Sequence, residues 1–507
     1  MTDLHLPWLE GSILMALIGA LTVSRARDPH RGRSWCLIFS GLVLASTIGA
    51  WLDFEWLDFG QTQEIQADDA WHLLSSLVGR EVLVIDHLSA PLLPLVSMLY
   101  FLTTLTTLGT KVRRFSFAST LISEATLLAI FSCKEPWLLI ALLAAGTVPP
   151  WIELRSRGQS TRVYSLYMFA YVALMIAGWT EVEIEGDGRV HSLWAVVPLL
   201  GAILIRGGIA PFHVWLTDLF ERATLGTAVL FAAPLTGAYA AVRLVLPIAP
   251  DWVLRSMGLL SLVTAVYAAG MSLVQRDARR FFCYLFLSHS ALVFVGLEVV
   301  TPIGLTGALC VWFSVVLSLG GFGLTLRALE ARRGRLNLVE FQGLYDHAPT
   351  LAVCFLLTGL ASVGFPGTVG FIGAELLVDG AVETYPYVGV AVVIAAALNG
   401  IAVVQAYFKL FTGTRHVSTV SLRIGPHERF AVVTLSAFIL LGGLLPQHSI
   451  ASRYRAAIEL LGHREGLSSE LVEPAYEDKN DHEPEVIGEP EGVSPRTSAT
   501  QTQPSGG

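Results

Sequence analysis

Residues 202–223 read AILIRGGIAPFHVWLTDLFERA, an apolar stretch that holds an arginine, paired glycines, a proline and a histidine. An ionised side chain at the centre of a membrane helix costs about 2.5–3.5 kcal/mol on insertion scales, so each one needs a reason. Arg206 does not readily lose its proton; it suits a fixed positive charge that biases nearby carboxylates without relaying protons itself. The competing reading has Arg206 snorkel to the cytoplasmic interface. Glu124 lies mid-run in ASTLISEATLLAIF. Without a partner it is expected to keep its proton, which makes it a candidate proton carrier. The alternative is a neutral acid hydrogen-bonded to a neighbouring helix. Glu124 and Arg206 are expected to interact, directly or through a polar chain.

His213, two residues after Pro211, and His289, in FLSHSAL, suit proton relay near physiological pH. Each serves as readily as a hydrogen-bonded packing residue. Glu375, in GFPGTVGFIGAELL, follows a second glycine and proline cluster and is the acid candidate there. Asp218 and Glu221 follow the first cluster and are expected to face the cytoplasm, capping or pairing with Arg222. Lys409, in AYFKLF, reads as a snorkelling anchor, and Asp86 as a helix cap.

Other chemistries find no footing. No phosphate loop, dinucleotide fingerprint, four-cysteine cluster or haem-attachment motif is present, so no cofactor or metal is expected. Cys36, Cys133, Cys283, Cys310 and Cys354 lie in or beside apolar runs without metal spacing and read as small core residues. The net charge of −8 comes partly from acidic loops and an acidic tail, and no nucleic-acid partner is expected.

The elements that must position these residues are membrane helices. The chain is 53% hydrophobic and only 15% charged, against about 25% charge in a soluble globular protein. Apolar runs of about 20 residues, each enough to cross a bilayer, recur along almost the whole length. The fold class is all-α and polytopic, with about fourteen spans: 7–24, 34–54, 87–108, 115–133, 136–154, 162–180, 192–222, 225–247, 253–273, 279–299, 303–327, 349–378, 386–412 and 428–447. Connections after odd-numbered spans are basic, such as RARDPHRGR and RALEARRGR. Those after even-numbered spans are acidic or nearly uncharged, such as EVEIEGDG. Positive loops stay inside, so both termini are expected outside a plasma (inner) membrane.

The spans 192–222 and 349–378 both carry glycine and proline at mid-membrane. They fall at corresponding places in two blocks of five spans, and an odd number of spans inverts one block against the other. Paired broken helices of this kind point to an inverted-repeat transporter. The expected organisation is three N-terminal helices over 1–114, a first repeat over 115–247, a second over 253–412, then a last helix and an amphipathic surface helix over 428–464. From 465 to 507 the Glu, Pro, Ser and Gly content predicts a disordered acidic tail.

At RGGIAPFHVWLTD the sequence resembles the antiporter-like membrane subunits of respiratory complex I, closest in flavour to M and N, and the related Mrp-type antiporters. The family pattern is roughly K-x-x-x-x-P-x-H-x-W-L-P-D. Pro211, His213, Trp215, Leu216 and Asp218 match it, Arg206 replaces the lysine and Thr217 the second proline. GFPGTVGFIGAELL is similar to the family's second broken helix, DARRFFCYLFLSHSALVFVGL to its tenth span, and DHLSAPLLPLV to the start of its third. The resemblance implies a proton or monovalent-cation path near the bilayer midplane. It also implies membership of a larger membrane complex, of NADH:quinone oxidoreductase or Mrp type, whose electron transfer would occur on other chains. Family relay positions fall on Ala144 or Ala145, Leu235, Val315 and Ala374, so most relay side chains are absent. Glu124 would then be a relocated partner for Arg206. Two alternatives are a membrane subunit of an inorganic-carbon uptake complex and a non-conducting scaffold of the same fold.

Overall fold

A computed structural model of the chain describes residues 2–59, 66–79, 81–108, 112–113, 115–186, 191–382, 385–414 and 425–465. The acidic tail beyond 465 lies outside the described residues. The chain opens with strand β1 (Thr2–Asp3) and helices α1 (Trp8–Arg25) and α2 (Pro29–Asp58). Strand β2 (Ala67–Asp68), the short α3 (Leu73–Val78) and strand β3 (Val84–Ile85) follow. Strand β2 is central, parallel to β1 and antiparallel to β3. The next residue along, Asp69, receives the Leu9 and Glu10 amides at 3.2 and 2.8 Å and so caps α1 from a distance.

Helices α4 (Leu92–Leu105), α5 (Phe117–Ser132), α6 (Pro136–Gly146), α7 (Val148–Ser156) and α8 (Arg162–Glu185) come next. Proline at the start of α2 and α6, where no amide partner is lost, sets the first turn. Then come α9 (Leu193–Gly207), α10 (Val214–Arg222), α11 (Leu225–Ala232) and α12 (Thr236–Ala240), the last running into a π-helical turn, Ala241–Val245. Helices α13 (Asp251–Leu273), α14 (Ala278–Val299) and α15 (Pro302–Ser314) follow. A second π turn, Val315–Leu319, joins α15 to α16 (Gly320–Arg333). The chain ends with α17 (Pro349–Val363), α18 (Val369–Val382), α19 (Pro386–Phe411), α20 (Pro426–Leu444) and α21 (Pro446–Glu465).

Among the described residues, ten helical stretches are long and apolar enough to cross a membrane. Four shorter apolar helices stand with them: α4, α5, α9 and α17. The α11–α12, α14 and α15–α16 stretches are buried almost throughout, whereas α2, α8 and α19 turn Trp56, Phe169 and Val393 outward. An apolar perimeter of this kind suits lipid or a partner, not water. All five cysteines are free and buried.

The two expected breaks share one backbone device. Helix α9 ends with Gly208 at φ 69°, its amide on the Ile205 carbonyl (3.1 Å) and the Ile209 amide on that of Leu204 (3.0 Å). Helix α17 ends with Gly364 at φ 89°, its amide on Ala361 (3.2 Å) and the Phe365 amide on Leu360 (3.1 Å). Only glycine takes this left-handed turn without a Cβ penalty.

A third break was not expected. The span read as continuous over 225–247 stops at Ala232 and restarts at Thr236, with Leu235 in the left-handed region at φ 54°. Pro234 has no amide to donate and blocks the helix. The Leu235 amide turns back to the Ala232 carbonyl (3.1 Å) and that of Ala238 to Leu235 (2.8 Å). The carbonyls of Phe231 and Pro234 are thereby left without their helical donors. The surface-helix expectation also changes: α21 is docked on the protein by Ala456, Ala457, Leu460, Leu461 and a fully buried Arg453.

Candidate functional site

Arg206 stands two residues before the Gly208 turn and is only 6% exposed. The snorkelling alternative does not hold for this position. Its Nη2 donates to the Phe231 carbonyl at 3.1 Å, one of the acceptors freed by the break at Pro234. The guanidinium lies 4.1 Å from the ring centre of Phe231 and 5.7 Å from that of Trp215. Arg206 is thus held by one carbonyl and two aromatic faces rather than by a carboxylate. Trp215 is itself fixed, its Nε1 donating to the Ile205 carbonyl at 2.7 Å. Gly237 makes the approach possible, since a Cβ there would meet Arg206 Cγ at 3.1 Å.

Arg206 borders a cavity of about 20 Å³ whose polar lining includes Tyr100, Ser123, Thr126 and Thr236. That is room for roughly one water molecule. The Tyr100 and Ser123 hydroxyls are hydrogen-bonded at 2.8 Å across α4 and α5. Glu124, the next residue on α5, is fully buried, and neither carboxyl oxygen has a hydrogen-bond partner among the described residues. Glu124 and Arg206 make no direct hydrogen bond. Instead, the residue before Glu124 is the one that lines the arginine's cavity.

A second cavity of about 20 Å³ lies in the other half, lined by His289, Ser314, Ser362 and Asn399 among others. His289 Nδ1 donates to the Leu285 carbonyl at 2.7 Å, which leaves Nε2 as the ring's other polar atom. Asn399 Nδ2 donates to Ser288 at 2.7 Å, and Ser288 donates to the Ala265 carbonyl at 2.8 Å. Asn399 Oδ1 is buried without a partner among the described residues. Ser362 stands two residues before Gly364, as Arg206 does before Gly208.

The other candidates lie elsewhere. His213 precedes α10, half-buried, with its ring centre 5.6 Å from that of Tyr267 and 6.1 Å from that of Tyr284. Asp218 pairs with Arg222 at 2.8 Å and Glu221 with Arg280 at 2.5 Å, and neither lines either cavity. Lys409 Nζ donates to the Val339 carbonyl at 3.1 Å and lies over the Phe341 ring. Glu375 is exposed on α18; its neighbour Ala374 lines the second cavity. Among the described residues no cluster of histidine, cysteine or carboxylate side chains is arranged to hold a metal.

Several polar residues escaped the sequence reading. Asp86 does cap its turn, accepting the Ser89 amide at 2.8 Å, but it also pairs with Arg243 of the π turn Ala241–Val245. Arg327 donates to the Thr103 carbonyl at 2.7 Å and the Thr107 hydroxyl at 2.8 Å, at the C-terminal end of α4. That is the end of a helix that favours a cation. Arg243, Arg327 and Asn399 each interrupt an apolar run, and that signal could have found them. Tyr100 and Ser123 carry no such mark, because hydroxyls are common in membrane helices.

Residues 162–399 match the family described as NADH:quinone oxidoreductase/Mrp antiporter. The chain is 27% identical over 376 residues to NADH-quinone oxidoreductase subunit 13 of Thermus thermophilus, covering 68% of this chain and 80% of that one. In the structure of respiratory complex I from the same organism, a chain 20% identical superposes with a TM-score of 0.76, covering 89% of this chain and 99% of that one. A chain of the Mrp complex from Dietzia sp. DQ12-45-1b, 16% identical, gives 0.77 over 89% and 97%. The broken helices, the matched residues around Pro211 and these likenesses agree: over residues 162–399 and in its fold, this chain is similar to the antiporter-like membrane subunits of NADH:quinone oxidoreductases and Mrp-type antiporters.

Proposed function

We propose that the chain translocates protons, or monovalent cations, as one membrane subunit of a larger assembly. The observation that carries this reading is Arg206, a permanent charge buried at a helix break beside a hydroxyl-lined void. Its positive field favours the ionised form of a carboxyl nearby and disfavours a proton resting in the void. Glu124 is the group that takes up and releases a proton. Tyr100 and Ser123, already hydrogen-bonded, relay between Glu124 and the void. In the other half, His289 beside Ser314, Ser362 and Asn399 continues the relay. Arg206 sets the field and does not itself carry the proton.

The finer architecture belongs to the same proposal. Fourteen spans with two inverted blocks of five are supported by the matching turns at Gly208 and Gly364 and by the ten long and four short apolar helices. Both termini on the outer side are supported by the alternation of loop charge. A second reading, a non-conducting scaffold, is supported by Ala145, Leu235, Val315 and Ala374 at family relay positions. The relatives named above are respiratory and Mrp chains, which does not favour the inorganic-carbon reading. Proton flux into liposomes carrying the purified complex separates conduction from scaffolding. Glu124→Gln and Arg206→Ala are each expected to lower it at least tenfold, and unchanged flux in both variants leaves the scaffold.

A further inference from the structure

Helix α18 has two unlike faces. Gly370, Gly373, Leu377 and Gly380 are turned inward. A Cβ added at Gly373 would lie 2.7 Å from the Val311 amide nitrogen, and one at Gly380 would collide with that of Gly304, so α15 and α18 touch backbone to backbone. The opposite face carries Phe371, Glu375 and Asp379, one per turn, all exposed. On the break just before it, Phe365 is 54% exposed and Pro366 is exposed too. Glu375 has no hydrogen-bond or ion-pair partner among the described residues.

This face cannot end in lipid. Irregular backbone at membrane depth is tolerated only where protein or a water-filled cavity covers it. At about 1.5 Å per residue, Glu375 stands about 9 Å along the helix from Val369. With the break at mid-membrane, that is inside the apolar half-thickness of about 15 Å, which only Asp379 reaches the edge of. A carboxylate facing hydrocarbon there is costly, and its side chain is too short to reach the headgroups. A second copy of this chain does not solve the problem either, because a two-fold contact would set the acids of one face near those of the other.

We infer that the Phe365–Phe371–Glu375–Asp379 face docks a different membrane subunit that presents a lysine or arginine to Glu375. Phe365 and Phe371 supply the apolar anchors and Glu375 supplies the register and the choice of partner. Asp379, at the headgroup level, adds attraction for the same cation. The inference rests on the reading of this chain as a subunit of a membrane assembly.

Benzoylphenylalanine is placed at Phe371, or at Val393 on the outward face of α19 as control, in a tagged chain assembled with its native complex. After irradiation the adducts are mapped by mass spectrometry. The expected adduct from position 371 joins a transmembrane segment of a different, co-purifying subunit, within two turns of a lysine or arginine. Glu375→Lys is then expected to lower recovery of that subunit at least tenfold, with recovery restored when its basic residue becomes glutamate. Adducts only to lipid or to a second copy overturn the inference, as does undiminished recovery with Glu375→Lys. Should Glu375→Lys fail to fold, the adduct map, which leaves Glu375 intact, decides alone. A wild-type chain that purifies without partners overturns both this surface and the subunit reading. A stable wild-type complex with a lipid adduct overturns the surface only.

Discussion

The Tyr100 hydroxyl lies 2.8 Å from the Ser123 hydroxyl, and both residues border the void that Arg206 also lines. The pair joins α4 to α5 one residue from a carboxyl that has no partner of its own among the described residues. Tyr100→Phe removes one oxygen and keeps the ring. The expected outcome is a flux loss of at least tenfold in reconstituted liposomes, with a stability loss of about 1 kcal/mol, the net worth of one hydrogen bond. Thermal unfolding in detergent separates the two effects.

Arg206→Lys keeps the charge but loses the planar group that spans the Phe231 carbonyl and two aromatic rings. Partial flux is expected. Arg206→Met fills similar space without charge and leaves the Phe231 carbonyl unpaired, a cost of about 1–3 kcal/mol. It is expected to abolish flux, so the pair of variants tells a requirement for charge from one for packing.

Arg453 holds α21 through the His87 carbonyl at 2.6 Å and that of Leu88 at 3.3 Å, with its guanidinium over Phe313. Arg453→Ala leaves two buried acceptors and a hole, a destabilisation of about 2–4 kcal/mol. Limited proteolysis is expected to cut near Pro446 in the variant under conditions where the wild type resists.

Gly307 of α15 meets α18 so closely that a Cβ would collide with the Leu377 amide nitrogen. Gly307→Ala is expected to cost about 1–3 kcal/mol by overpacking. Gly270 on α13 has nothing within 4 Å of such a Cβ. Gly270→Ala is expected to stabilise by about 0.5–1 kcal/mol, since the helix gains a better former. Thermal midpoints moving in opposite directions would check both.

On the β1–β2–β3 sheet, burial and then the neighbouring Glu81 push the Asp68 carboxyl up to about 6, with Asp3 adding to the rise and His72 opposing it. The folded state therefore holds this proton more tightly than the unfolded chain does. Stability of the sheet is greatest at the acid end, falls as pH rises from about 4 towards 6 and stays lower above that. Hydrogen exchange of the Leu4 amide, which donates to the Asp68 carbonyl at 2.9 Å, reports it. After correction for intrinsic rates, protection is expected to drop through this window in the wild type and to stay level in Asp68→Asn.

Much of the fold is legible because membrane helices obey few rules. Length and apolarity marked the stretch 136–154, and α6 and α7 occupy Pro136–Ser156. Glycine and proline marked 192–222 and 349–378, and α9 and α17 both stop there. Pro234 is the same kind of signal, yet no glycine stands just before it and only Gly237 follows, and nothing local says that Leu235 must turn left-handed. The site was less legible because its contacts cross between helices. Ser123 beside Glu124 says nothing of Tyr100 on another span. The type of Glu375 and its place after the second glycine and proline cluster do not say which face of the helix it takes. The spacing of Gly370, Gly373 and Gly380 already marks the packed face of α18, and it puts Glu375 on the other side.

The gap at Pro234 between α11 and α12 is stopped from two directions. Arg206 donates to the Phe231 carbonyl, and Trp312, from the later half of the chain, donates its Nε1 to the Pro234 carbonyl at 3.1 Å. One loose end is thus served from its own half, the other only from across the chain. Severed at the connection near residue 250, the part before it would lose the Trp312 donor and leave the Pro234 oxygen bare. The halves resemble a lock whose last tumbler sits in the neighbouring door: the first is not a complete object until the second has closed on it.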